Sequence, residues 1–204
     1  MQLFNGKNLN GWAWVARPPR PSTAPGAAPS PTTQPLAKLE DVWSVNDGVL
    51  ISSGRPIGYI RTDQKLPANY VLTVEMRHIA RGNGGILVGI TGLDKVWPHC
   101  IEVQGASDNV GDFYAQGELK LTADPARVQQ GRHVLKLAPP SEKPVGEWDS
   151  VEIVVESGNV SVKVNGTLQN VGATTEDLAG MVGLQAEGAP MEFRKVEFRP
   201  IHSR

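Results

Sequence analysis

Glu102 and Gln104 stand two residues apart in the stretch His99-Cys100-Ile101-Glu102-Val103-Gln104. That alternation has the period of a β-strand, so Ile101 and Val103 leave on one face and Cys100, Glu102 and Gln104 on the other. A carboxylate beside an amide can orient hydroxyl groups, and the carboxylate can take or give a proton. Glu102 is therefore the first candidate for acid or base chemistry, with Gln104 to position a ligand. A second alternating run, Val71 to His78, sets Leu72, Val74 and Met76 against Thr73, Glu75 and Arg77. If the two strands share a sheet, Glu75, Arg77, Glu102 and Gln104 line one polar surface. Otherwise Glu75 and Arg77 are a solvated sheet face with charge pairs.

Other side chains extend this candidate site. Trp97-Pro98-His99 lies on a loop leading into the Glu102 strand, so an indole and an imidazole can reach its rim. Trp97, Tyr114, Tyr59 and Trp14 are candidates for stacking on sugar rings. His99 is the histidine expected to take part in proton transfer. The four histidines show neither His-x-His nor His-Glu-x-x-His spacing, so no metal site is expected from them. Asp108, Asn109 and Asp112 lack the ligand pattern of a calcium loop. A two-carboxylate glycosidase built from Glu75 and Glu102 needs its carboxyls about 5–5.5 Å apart if retaining, or about 6.5–9.5 Å if inverting. The lone Cys100, within an apolar strand, reads as packing.

The elements that must hold these groups are strands. Val151 to Val155 and Val160 to Val164 are β-branched runs joined by Glu156-Ser157-Gly158-Asn159, which predicts a hairpin. Asn165-Gly166 is the strongest tight-turn dipeptide in the chain. Met181 to Gln185 and Met191 to Phe198 complete the set. Helix is expected only as one short turn over 175–179, with Thr174 or Thr175 as cap. Many short strands with Gly and Asn turns predict an all-β, two-sheet antiparallel sandwich or jelly roll. Residues 17–36 carry prolines at 18, 19, 21, 25, 29, 31 and 35 and are expected to be a surface insertion. Phe4 and Trp12 are expected to pack with the strands beyond that insertion, so residues 1–204 read as a single domain. Trp12, Trp43 and Trp148 are expected to be structural.

Composition narrows the function classes. A hydrophobic fraction of 40% in 204 residues fills a real core. A formal net charge of -1 gives no electrostatic case for nucleic acid or an anionic membrane. One cysteine excludes an internal disulfide. No apolar run approaches the roughly 20 residues that span a bilayer. The sequence opens almost directly on Leu3-Phe4-Asn5-Gly6, so no signal peptide is expected within it, and the compartment is not readable from it.

Several motifs recur in a fixed order. They are Leu3-Phe4-Asn5-Gly6-Lys7-Asn8-Leu9-Asn10-Gly11-Trp12, Trp43 to Leu50, Asn83-Gly84-Gly85-Ile86, Ile101 to Gln104, Glu147-Trp148, Asn165-Gly166, Gly183-Leu184-Gln185 and Phe193-Arg194. In that order the chain resembles the 3-keto-disaccharide hydrolase family, also described as 3-keto-glucoside lyase and 3-keto-glucal hydratase. The resemblance implies a concanavalin A-like jelly roll of the lectin/glucanase kind with an active groove on its concave sheet. It implies a small saccharide or glycoside as ligand, a bacterial source, and export to the periplasm or beyond with the leader removed. A non-catalytic glycan-binding module on the same groove is the alternative.

The implied chemistry is elimination. A keto group at C3 acidifies the C2 proton, a base removes it, and the C1 glycosidic oxygen leaves before water adds back. Carried onto this sequence, Glu102 is the base or acid. Gln104, Arg77 and Gln185 are orienting donors, and Tyr114 or His99 the proton donor. A divalent metal that stabilises the enolate occurs in some members, and no ligand set is evident here. The sequence departs from the family pattern at several telling places, among them Gly105-Ala106-Ser107, where an Asp often follows the Glu-x-Gln motif, and Lys195, where an Asn is usual. Gly89 stands where an Arg is expected, and Glu187 where a His is expected. Arg61 and Arg77 are the candidates to replace the missing cation. Glu187 joins Gln185 among the residues expected to face the substrate.

Overall fold

The alternating runs pair into two antiparallel sheets in the computed structural model, which describes residues 1–18 and 36–202. Fifteen strands lie among the described residues. The first eight are β1 (Trp12–Ala16), β2 (Trp43–Asn46), β3 (Val49–Ser52), β4 (Gly58–Thr62), β5 (Tyr70–His78), β6 (Gly85–Thr91), β7 (His99–Gln104) and β8 (Phe113–Gln116). The others are β9 (Val128–Gln129), β10 (His133–Val134), β11 (Asp149–Glu156), β12 (Asn159–Val164), β13 (Thr167–Ala173), β14 (Met181–Ala186) and β15 (Met191–Pro200). One sheet has eight strands in the order β1-β4-β14-β6-β7-β8-β10-β9, and the other seven in the order β13-β12-β11-β5-β15-β3-β2.

The facing sides of the sheets make the core. Leu72, Val74 and Met76 of β5, Ile153 of β11 and Phe193 of β15 meet Ile86 and Val88 of β6, Ile101 and Val103 of β7 and Leu184 of β14. All are essentially inaccessible to solvent. Burying each such side chain contributes about 1.5–3 kcal/mol. Phe4 and Trp12 belong to the same core, so the first sixteen residues pack with the later strands, as the sequence predicts. Trp43 is buried there too, whereas Trp148 lies outside this core.

The predicted turns form. Ser157 and Gly158 connect β11 to β12 with φ of 51° and 76°, and Asn165 and Gly166 connect β12 to β13 with φ of 51° and 83°. Two successive positive φ values match the right-handed twist of the flanking strands, which is why Asn-Gly suits such a hairpin. The helical turn expected over 175–179 does not form. Thr174 Oγ1 accepts from the Glu176 N–H at 3.1 Å and Asp177 Oδ1 from the Ala179 N–H at 2.9 Å. These local side-chain bonds satisfy the backbone in turns and compete with helix. The two short 3-10 turns among the described residues are Leu39–Asp41 and Pro125–Arg127. Most of the proline-rich stretch expected to be an insertion, residues 19–35, lies outside the described residues. No helix among the described residues is long and apolar enough to cross a membrane.

Sheet membership corrects one expectation. β5 pairs with β11 and β15, while β7 pairs with β6 and β8. Glu75 and Arg77 therefore face outward from the seven-stranded sheet, with the whole core between them and Glu102. They fit the charge-paired alternative: Arg77 Nε donates to Glu192 at 2.7 Å and Arg194 Nε to Glu75 at 2.5 Å. Both guanidinium groups lie over the Trp148 ring, at 4.6 and 4.4 Å from its centroid.

Candidate functional site on the eight-stranded sheet

The outer face of the eight-stranded sheet carries a polar row. Cross-strand pairing sets Glu102 opposite Tyr114 and Cys100 opposite Gln116, so Tyr114 and Gln116 of β8 share the Glu102 face. On the other side, Gly85 of β6 is the partner of Gln104. Gln185 comes from β14, where Leu184 and Ala186 point into the core. Over this row lies a cavity of about 460 Å³. Glu102, Gln104, Tyr114 and Gln116 line it from the sheet, Trp97 and Glu187 from loops, and Arg132 from the turn between β9 and β10.

A glycine makes the arrangement possible. A Cβ on Gly85 would stand 2.2 Å from Gln185 Oε1, so only glycine lets the Gln185 amide lie across β6. The Gln185 amide thereby comes beside the Glu102 carboxylate and favours its charged form. Gln116 Nε2 donates to Glu102 Oε2 at 2.5 Å, and Arg132 Nη1 donates to Gln116 Oε1 at 3.1 Å. Gln104 uses Oε1 to accept from the Gly105 and Ala106 N–H groups at 2.9 and 3.0 Å. Tyr114 lines the same cavity beside it.

Tyr114 is fixed from both sides. Its ring stacks on His133 with centroids 4.1 Å apart and planes 9° apart, and the Arg132 guanidinium lies 5.3 Å from its centroid. His133 in turn meets the buried Asp112 through Nε2 at 2.7 Å. Asp112 is thus engaged as a structural partner and is not free to serve a calcium loop.

Two carboxylates face this cavity, and their environments differ. Burial pushes the Glu102 carboxyl up, against the opposing pull of the Gln116 and Gln185 amides and the positive charge of Arg132. Glu187 is pushed up to about 7, first by burial and then by the negative charge of Glu102, with Arg17 pulling the other way. Glu187 Oε2 is buried without a hydrogen-bond partner, as are Gln185 Oε1 and Asn83 Oδ1 close by. Of the pair, Glu102 carries the stabilising donors, while Glu187 has no hydrogen-bond partner on its buried oxygen and keeps its proton to near neutral pH. Burial, then Asp112 and Glu102, raises the Tyr114 phenol, so it too stays protonated.

The structure brings Glu102, Gln104, Tyr114, Trp97, Gln185 and Glu187 together. It leaves the other candidates elsewhere. Glu75 and Arg77 are on the opposite sheet. His99 does not line the Glu102 cavity; its Nε2 lies 2.6 Å from Glu176 Oε2 beside a neighbouring hollow. Tyr59 is buried with Val15, Leu87, Ile90 and Cys100 in an apolar cluster and offers no sugar platform. The Cys100 thiol is pushed well up by that burial, which suits packing rather than nucleophilic use. Trp14 is packed against the core with its N–H on the Ala37 carbonyl at 2.9 Å.

The cation beside Glu102 comes from an unexpected place. Gly89 sits at a bulge of β6 with φ of 69°, and its Cβ would come within 3.0 Å of Leu178 Cδ2, so no arginine fits there. Arg61 is tied to Asp94 through two bonds of 2.8 Å. Arg132 supplies the positive charge instead. Sequence reading missed Arg132, Gln116 and His133. Gln116 was detectable two residues after Tyr114 in a strand. Arg132 carried no signal, because only the β8-β10-β9 order brings that turn to the cavity.

Among the described residues, no group of three or more His, Cys, Asp or Glu side chains could hold a metal ion. The cavity's two carboxylates share their space with a guanidinium, a donor set that does not suit a divalent cation.

A polar, aromatic-rimmed cavity on one sheet of a two-sheet jelly roll defines a carbohydrate-active class of site. The chain belongs to the 3-keto-alpha-glucoside-1,2-lyase-like domain family, whose model matches residues 1–199. No curated protein matches it. Among solved structures it is similar to a candidate glycosyl hydrolase from Parabacteroides distasonis, with a TM-score of 0.61 and 20% identity over 81% of this chain and 93% of that one. It is also similar to the carbohydrate-binding module CBM66 from Bacillus subtilis, with a TM-score of 0.60 and 12% identity over 94% and 97% of the two chains. A β-glucanase from Bacillus licheniformis gives a TM-score of 0.57 and 13% identity over 100% and 97%. At these identities the likeness is one of fold, and it is the concanavalin A-like jelly roll that the sequence motifs imply.

Proposed function

We propose that this protein cleaves 3-keto-glycosides by acid–base elimination in the Glu102 cavity. The observation that carries the reading is the unequal carboxylate pair, Glu102 and Glu187, facing one cavity beside Arg132. Glu102, ionised and aimed by the Gln116 and Gln185 amides, takes the proton from C2 of the oxidised ring. The electron pair moves into an enolate whose oxygen is the former C3 carbonyl, and the Arg132 guanidinium and the Tyr114 hydroxyl are the donors available to it. The C1–oxygen bond breaks, and Glu187 gives its proton to the departing oxygen. Water then adds across the resulting double bond, with the two carboxyls in exchanged roles.

Glu187 thus takes the place of the family's histidine. Raised to about 7, it titrates where an imidazole would. The three unpartnered acceptors, Asn83 Oδ1, Gln185 Oε1 and Glu187 Oε2, match a ligand rich in hydroxyl donors. A non-catalytic glycan-binding role uses the same acceptors, but it has no need of an unequal acid–base pair.

Incubation with 3-keto-trehalose-type and unmodified disaccharides, with and without divalent metal, tests the reading. Release from the keto substrate alone is expected. Measurable sugar binding with no release from either substrate would leave only the binding role.

A further inference from the structure

Glu187 stands on no strand. It opens the loop 187–190, which carries the chain from β14 in the eight-stranded sheet to β15 in the seven-stranded one. Its buried Oε2 has no hydrogen-bond partner, so no bond to that oxygen aims the carboxyl into the cavity. The aim has to come from where the loop backbone sits. We infer that Ala189 is the positioning residue for Glu187, seated in a socket formed by Gly54 and Gly82. The inference rests on the proposed elimination, in which Glu187 is the proton donor.

Two other crossings between the sheets build the socket. Gly54 lies on the loop from β3 to β4 and Gly82 on the loop from β5 to β6, and both loops run from the seven-stranded sheet to the eight-stranded one. Ala189 is buried between them. A Cβ on Gly54 would stand 2.2 Å from the Ala189 carbonyl oxygen, and one on Gly82 would stand 2.0 Å from the Ala189 Cβ. Neither position can carry a side chain while Ala189 stays where it is. Backbone bonds close the socket. The Gly188 N–H donates to the Gly54 carbonyl at 2.8 Å, and the Ile79 N–H to the Pro190 carbonyl at 3.2 Å. The loop is thus tied on both sides of Ala189, two residues from the acid.

The seat fixes the surroundings of the Glu187 carboxyl. Glu102, Arg132 and Tyr114 line the cavity with it, and Arg17 follows β1 close by. The Arg55 guanidinium lies 3.7 Å from where a Cβ of Gly188 would stand. Burial and the Glu102 charge raise Glu187 to about 7, and both depend on the loop holding it in place. Moving the loop by about 1 Å would also carry the proton away from the departing oxygen, a misplacement that costs on the order of 10²-fold.

The test moves one methyl group across the contact in the full-length protein. Gly82→Ala overfills the socket and Ala189→Gly empties it. The double variant Gly82→Ala/Ala189→Gly refills it from the other side, with the new Cβ at an ordinary 3.4 Å from the Cα of position 189. Two readings are taken: kcat and KM on a 3-keto-glucosyl disaccharide, and the pH titration of the Glu187 carboxyl carbon by carbon-13 NMR, its signal assigned by its loss in Glu187→Gln. Both single variants should lower kcat, Gly82→Ala by about tenfold or more, with little change in KM. Both should move the Glu187 midpoint from about 7 toward 4.5, and the double variant should recover most of both properties. Single variants with wild-type kcat and midpoint would overturn the assignment, as would a double variant no better than either single one. If Gly82→Ala does not fold, Ala189→Gly and the double variant decide by the same readings. Wild-type protein without turnover would defeat the elimination chemistry instead, and the carbon-13 titration, which needs no substrate, then judges the seat alone.

Discussion

Glu187→Gln perturbs the site at its most informative point. The Glu187 carboxyl is raised from an ordinary 4.5 to about 7, by burial first and the Glu102 charge second. As proton donor it works only when protonated, so its useful fraction is about 0.9 at pH 6 and about 0.1 at pH 8. The wild-type kcat/KM on a 3-keto-glycoside should therefore fall about tenfold between those pH values. Glu187→Gln should lose activity by about 10²–10⁴ and lose that alkaline limb, because the amide cannot give up a proton. Glu187→His should restore part of the rate with a limb near pH 6.5, the ordinary imidazole value.

The same shift has a stability consequence. A folded-state value above the ordinary one means that folding favours the protonated form. The native state is then progressively penalised as pH rises from about 4.5 to 7. Glu187→Gln should match the wild type at pH 4 and exceed it at pH 8 in thermal unfolding. The side chain is only half-buried, so the gain is about 1 kcal/mol. A Glu187→Gln protein with wild-type turnover and an unchanged alkaline limb would refute the donor role.

Three further outcomes are expected. Glu102→Gln should lower turnover by about 10²–10⁴ without lowering Tm, since it removes a buried charge and keeps the side chain's shape; wild-type turnover would remove Glu102 from the mechanism. Gly85→Ala should fold, because the closest atom its Cβ meets is the flexible end of Gln185 and the Val103 carbonyl at 3.2 Å has to give only a few tenths of an ångström, yet it should cost about tenfold or more in kcat as that amide is displaced from beside Glu102; kinetics beside circular dichroism check both halves. Phe193→Ala, at the centre of the core, should destabilise by about 3–5 kcal/mol in denaturant unfolding, against little effect from changing exposed Leu93.

Much of this fold is written locally. Period-two alternation in β5 and β7, the Asn165-Gly166 turn and the β-branched runs of β11 and β12 depend only on neighbours in sequence. Backbone geometry and side-chain direction come from that spacing. The inward Ile101 and Val103 and the outward Glu102 and Gln104 were legible for the same reason. The motif order gave the family, and with it Gln185 and position 187.

What the sequence left open was which strands lie side by side. Glu75 and Glu102 have the same local signature, yet pairing places them on opposite outer faces. Arg132 and His133 carry no local signal of function, since the order β8-β10-β9 alone brings them to Tyr114 and Gln116. The proton affinity of Glu187 is likewise nonlocal: it arises from burial and from a carboxylate on β7, 85 residues away in sequence. The sequence by itself determined the jelly roll and one face of one strand. Only the tertiary structure decided which charges share the cavity, because strand pairing and desolvation are properties of the packed sheets.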